Sequence, residues 1–157
     1  MINIRVAKEE DAKLVFELTK ECFSDYAQSP TFKTTPSLLE DYEDVKMDII
    51  NKEVLIAWLD GKAVGSLRYY PLEDGEYGLI RLGVLKEYRS LNIGSTLLKE
   101  VEKRVRTNDG KSITLYSPYE LKNLLNFYQN LGYKIEEVSQ DDDYDRAKLT
   151  KQLRINS

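Results

Sequence analysis

Ile93, Leu97, Val101 and Val105 recur at four-residue spacing, and Leu98 widens the same stripe. Lys99, Glu100, Glu102, Lys103 and Arg104 occupy the other side. The pattern is an amphipathic helix over 92–107. The run EYGLIRLGVL (76–85) precedes it, and the alternating KSITLYS (111–117) follows. A strand, a helix and a second strand return the chain to a parallel neighbour in one sheet, by a right-handed crossover. This unit sets the fold class as α/β and places one helix start beside one pair of parallel strands.

The remaining periods build outward from that unit. Ile2, Ile4 and Val6 alternate as a strand over 2–7, and the apolar residues from Ala12 to Tyr26 fall at helical spacing over 9–27. A loop with two prolines spans 25–37, and Leu38, Leu39, Tyr42, Val45 and Ile49 mark a second helix over about 37–51. EVLIAWL (53–59) is a buried strand, joined through Asp60-Gly61 to a strand over 62–72. EDG (73–75) forms the next turn. Leu121, Leu124, Leu125, Tyr128 and Leu131 give one apolar helix face that Gly132 ends. Segments 133–138 and 144–153 close the chain as an antiparallel pair. The expected order is β-α-α-β-β-β-α-β-α-β-β: a mixed, mostly antiparallel sheet flanked by about four helices.

Composition removes several functions. The 157 residues fit one domain over 1–157, without repeats or linkers. The net charge of −4 argues against a nucleic-acid surface. No apolar run approaches the roughly 20 residues of a membrane span, and the start lacks a signal-peptide core, so a cytoplasmic location is expected. There is no histidine and only Cys22 as a thiol. That excludes Ser-His and Cys-His nucleophile pairs and His- or thiolate-based zinc sites within this chain. Cys22 sits on an apolar helix face and reads as a buried structural thiol.

The start of helix 92–107 carries the sharpest signal. Arg89 precedes Asn92, Ile93, Gly94, Ser95 and Thr96. Two uses fit these residues. Asn92 can simply cap the helix. Alternatively, the unpaired N–H groups and the positive end of the helix dipole can hold an anion, with small residues admitting it and Arg89 adding charge. LGVLKEYRSLNIGSTLL resembles the acyl-CoA signature of the GNAT superfamily of N-acetyltransferases, R/Q-x-x-G-x-G/A, with Asn92 in place of the first glycine. NFYQNLGYK (126–134) resembles that family's second segment through Phe127, Tyr128, Gly132 and Tyr133. An asparagine common seven residues before the tyrosine is replaced by Leu121, with Asn123 nearby.

The resemblance implies a GNAT-like fold in which strands 76–85 and 111–117 splay around acetyl-CoA. The implied coenzyme residues are Leu82, Val84, Arg89, Asn92, Ile93, Gly94, Ser95, Thr96, Asn123 and Tyr128. The implied chemistry is direct acetyl transfer to a primary amine, on a small molecule or a protein N-terminus or lysine. The backbone N–H of Val84 would stabilise the oxyanion, and Tyr128 would protonate the leaving thiolate. Glu76 is the candidate base, or else an ordinary turn glutamate. Gly83 would mark a bulge or close approach in its strand, or a plain irregularity. No metal is implied, and a homodimer is possible. Asp25 and Asp141–Asp143 are expected to draw in a cationic amine, or to be solvated loop residues. A non-catalytic acyl-CoA-binding domain of the same fold is the alternative.

Overall fold

The computed structural model describes residues 1–141 and 143–153. The chain begins with β1 (Ile2–Val6) and α1 (Ala12–Cys22). A 3₁₀ turn at Ser24–Gln28 and a loop lead to the single turn α2 (Pro36–Leu39) and then α3 (Tyr42–Asn51). Three strands follow, β2 (Glu53–Leu59), β3 (Lys62–Pro71) and β4 (Glu76–Val84), then α4 (Ile93–Thr107). The rest is β5 (Ser112–Pro118), α5 (Lys122–Asn130), β6 (Lys134–Ser139) and β7 (Arg146–Gln152). The seven strands make one sheet in the order β1-β2-β3-β4-β5-β7-β6. Only β4 and β5 are parallel; the other pairs are antiparallel.

The apolar stripe of α4 lies on β1–β4. Ile93, Leu97, Leu98, Val101 and Val105 are fully buried there, each contributing about 1.5–3 kcal/mol from side-chain burial. Side chains alternate across a strand. Gly65 of β3 faces α4, because a methyl at Gly65 would lie 3.2 Å from Ile93 and 3.3 Å from Leu97. Ser66 and Arg68 therefore face the other side, where α1 and α3 pack. β3 is covered on both faces and reads as a nearly continuous apolar run.

Arg68 is the exception in that run, and it organises its surroundings. Its side chain is 0% exposed. The two Nη groups donate to both Glu40 carboxylate oxygens at 2.7 and 2.8 Å, to Asp48 at 2.9 Å and to the Thr19 hydroxyl at 3.2 Å. Lys52 holds the other Asp48 oxygen at 2.6 Å, and Arg81 Nε donates to Glu40 at 3.2 Å. Burial pushes the Asp48 carboxyl up, but the hydrogen bonds from Lys52 and Arg68 outweigh it and hold it below the ordinary value.

This network explains a departure from the sequence reading. The single helix expected over 37–51 is two helices. Glu40 has extended backbone (φ −69°, ψ 147°), which breaks the helix and turns its carboxylate inward. Asp41 then restarts the helix with a capping box: its side chain accepts from the Asp44 N–H at 2.9 Å, and Asp44 accepts from the Asp41 N–H at 3.0 Å. The helix expected over 9–27 is likewise narrower, with 3₁₀ turns on either side of α1.

Removing one partner of a buried pair leaves an uncompensated charge, at a cost of about 3–5 kcal/mol. Glu40→Ala should lower the unfolding free energy in urea by roughly that amount. The double variant Glu40→Ala/Arg68→Met should recover much of it. A loss below about 1 kcal/mol in the single variant would show that the network does not hold the helices to the sheet.

Candidate active site

β4 and β5 pair over three residues only, from Glu76–Ser112 to Gly78–Thr114. Beyond that point β5 stays paired with β7 up to Pro118–Arg146, while β4 stays with β3. The sheet opens between them. The cause lies in β4, where Arg81 and Leu82 together oppose Leu67, since Ser66 pairs with Gly83 and Arg68 with Ile80. Arg81 carries the extra residue in the left-handed region, φ +58°. A bulge of this kind bends its strand and disturbs the ladder.

The bulge is therefore at Arg81 rather than at Gly83. Gly83 serves a close approach instead. A Cβ on it would lie 2.9 Å from both Cys22 and the Phe23 ring, where the end of α1 meets β4.

The ladder also sets where backbone donors point. The Leu85 N–H bonds to the Val64 carbonyl at 2.9 Å, so it faces β3. Successive N–H groups alternate sides. Those of Leu82 and Val84 face the gap that β5 has left. The Val84 carbonyl points the same way and accepts from Arg89 Nε at 3.0 Å.

The gap is an open cleft with an internal volume of about 120 Å³. Leu79–Leu82 of β4 form one wall and Leu115–Pro118 of β5 the other. Leu124 and Tyr128 of α5, Phe23 and Tyr26, Thr35–Ser37 and Tyr144 complete it. Ring contacts join the covering loops, from Tyr26 to Phe32 at 5.7 Å and from Phe32 to Tyr144 at 5.4 Å.

Tyr128 is buried, and it lines the cleft. Burial, with a smaller effect from Tyr26, pushes its phenol well above the usual range. It stays protonated through neutral and mildly alkaline pH, as a proton donor must.

Next to the cleft, α4 begins at Asn92, whose backbone is left-handed (φ 60°, ψ 24°). Its side chain makes no capping bond. Its carbonyl instead takes the Thr96 N–H at 3.0 Å and the Ser95 and Thr96 hydroxyls at 3.0 and 2.8 Å. The N–H groups of Ile93, Gly94 and Ser95 precede that first helical bond. Asn92 is exposed and Gly94–Thr96 are half-buried, so the helix start is open at the surface. A Cβ on Gly94 would lie 3.2 Å from the Phe127 ring of α5, so this glycine also lets the two helices close up.

Arg89 lies against the Val84 carbonyl, whereas Glu76 and Asn123 lie away from the cleft. The Arg89 guanidinium is engaged with protein groups: besides Val84, it donates to Asp25 at 2.8 Å and to the Cys22 carbonyl at 2.8 Å. It fastens the β4–α4 loop to the end of α1. Its hydrogen bond holds the Asp25 carboxyl below the usual value. Glu76 pairs with Ser112 at the closed end of β4, roughly 26 Å along the strand from Val84 at about 3.3 Å per residue, and the structure does not bring it to the cleft. Asn123 is exposed on α5 and does not line the cleft.

The acidic residues expected to attract an amine are also engaged away from it. Asp25 holds Arg89, Asp141 lies 3.7 Å from Arg146, and Asp143 accepts from Thr34 at 2.9 Å. Asp142 lies outside the described residues. Sequence reasoning missed Arg81 and its support by Glu40 and Arg68. The one available signal was an arginine inside an otherwise apolar central strand.

Residues 12–133 match the model of the Acetyltransferase (GNAT) family. The chain belongs to that family. It is 27% identical over 106 residues to a probable N-acetyltransferase camello of Xenopus tropicalis, a match covering 64% of this chain and 48% of the relative. The chain thus spans about half the length of that curated relative. Solved GNAT structures share the fold. The PaiA N-acetyltransferase of Thermoplasma acidophilum, in complex with coenzyme A, superposes with a TM-score of 0.83 at 22% identity, covering 97% of this chain and 99% of that one. A GNAT acetyltransferase of Streptococcus pneumoniae gives 0.76 at 19% identity, covering 97% and 99%.

Cys22 is buried under this site. Burial pushes its thiol up to about 12, against a smaller opposing pull from Arg89. A thiol-specific reagent at pH 8 should label native protein at least about 100-fold more slowly than urea-unfolded protein. Equal rates would show that the end of α1 does not stay docked on β4.

Proposed function

We propose that this chain is an acetyl-CoA-dependent N-acetyltransferase acting on a primary amine. The observation that supports the reading is the splay of β4 from β5, which leaves the N–H groups of Leu82 and Val84 without a β5 partner beside the open start of α4. Strand-edge donors of this kind suit an amide-bearing arm, and the helix start suits its pyrophosphate. Ile93, Gly94, Ser95 and Thr96 would hold that anion. Arg89 acts by fixing the loop that presents them.

Acetyl-CoA supplies an activated acetyl group. The Val84 N–H would stabilise the oxyanion that develops on the carbonyl under attack. The amine nitrogen bonds to the acetyl carbon and the carbon–sulfur bond breaks. Tyr128 gives its phenolic proton to the departing sulfur, while the amine proton leaves to water. A free alkylamine is mostly protonated near neutral pH. Arg81 lines the cleft, and a positive charge in the same cleft would favour the neutral, attacking form of the amine.

Calorimetric titration of acetyl-CoA followed by an amine panel tests the reading. Binding with turnover is expected, and Tyr128→Phe should lower kcat roughly 100-fold with little change in the KM for acetyl-CoA. Binding without turnover of any amine would favour a coenzyme-binding domain. Unchanged kcat in folded Tyr128→Phe would remove the phenol from the mechanism.

A further inference from the structure

Arg81 is the one formally charged side chain among the described residues lining the cleft. Its Nε donates to Glu40, and no hydrogen bond engages its two Nη groups among the described residues. Its side chain is 18% exposed, and the residue lines the cleft. Glu40 cannot neutralise it fully, because the same carboxylate already accepts both Nη groups of the buried Arg68. The connected charges are Lys52, Arg68 and Arg81 against Glu40 and Asp48, which leaves one positive charge in excess. Lys52 stands at the outer end beside Asp48. Arg81 stands at the inner end, facing the cleft.

The backbone is strained to hold it there. A non-glycine residue in the left-handed region costs about 1–2 kcal/mol, and such strain persists where surrounding contacts enforce it. At Arg81 those contacts are the bulge and the bond to Glu40. A guanidinium held at Nε, with Nη groups that make no hydrogen bond among the described residues, matches a carboxylate by two parallel hydrogen bonds. The other residues lining the cleft are uncharged.

We propose that Arg81 reads a carboxylate on the acceptor, so that the molecule acetylated is a small amine that also bears a carboxylate. This rests on the acetyltransferase reading above. It predicts discrimination against diamines and other acceptors without an anionic group, which Arg81 would repel or leave unpaired.

The test compares α-amino acids with their α-amino amides, which keep the shape and lose the charge, and adds simple diamines. Wild-type kcat/KM should favour the carboxylates by about 10–100-fold. In Arg81→Gln that preference should collapse toward unity, and Arg81→Lys should keep part of it. Calorimetry with N-acetyl amino acids, in the presence of coenzyme A, should show the same loss of affinity, while coenzyme A binding and the thermal melt verify that each variant is folded. Equal use of amides or diamines by the wild type would overturn the proposal. So would a carboxylate preference that survives Arg81→Gln. If no amine is turned over, the acetyltransferase reading falls, and the N-acetyl amino acid titrations still decide Arg81. Carboxylate binding that the variant abolishes would support it, and equal binding by both proteins would refute it.

Discussion

The pair between Arg68 and Glu40 is the constraint on which the rest of the structure depends. A guanidinium fully buried in the central sheet requires partners, since an unpaired charge there would cost several kcal/mol. Those partners come from everything packed on that face: Thr19 from α1, Glu40 from the break after α2, and Asp48 from α3. Pairing the two Nη groups of this one β3 side chain therefore docks three segments and stops a helix at a fixed place. The same carboxylate reaches Arg81. The structural pair and the functional cleft share a group.

From that point the opening of the sheet follows. The β4 bulge turns Leu82 and Val84 toward a space that β5 has left, because β5 follows β7 through its whole length. The cleft is bounded by strand walls, by a helix bearing Tyr128, and by aromatic loops. Beside it, α4 begins with open N–H groups.

Much of the frame was legible because its causes are local. Asp60-Gly61 and Asp74-Gly75 each take two consecutive positive φ values, as turn chemistry requires. The four-residue spacing of α4 and the glycine after α5 act within a few residues. The departures come from long-range partners. The split of helix 37–51 depends on Arg68, 28 residues from Glu40. The placement of the bulge depends on a left-handed arginine, which no propensity favours. Arg89 resembled a free cation because its partner Asp25 lies 64 residues away. Glu76 fell on the correct strand but at its closed end, and a strand read without its pairing limits cannot tell one end from the other.

In the proposed mode of binding, the start of α4 and the open edge of β4 together receive the coenzyme. Amide chemical shifts of ¹⁵N-labelled protein titrated with coenzyme A test it directly. The largest movements should fall on Leu82, Val84, Gly94 and Ser95, with the far end of α4 near Asn108 still. Saturable movements that bypass Gly94 and Val84 would contradict it.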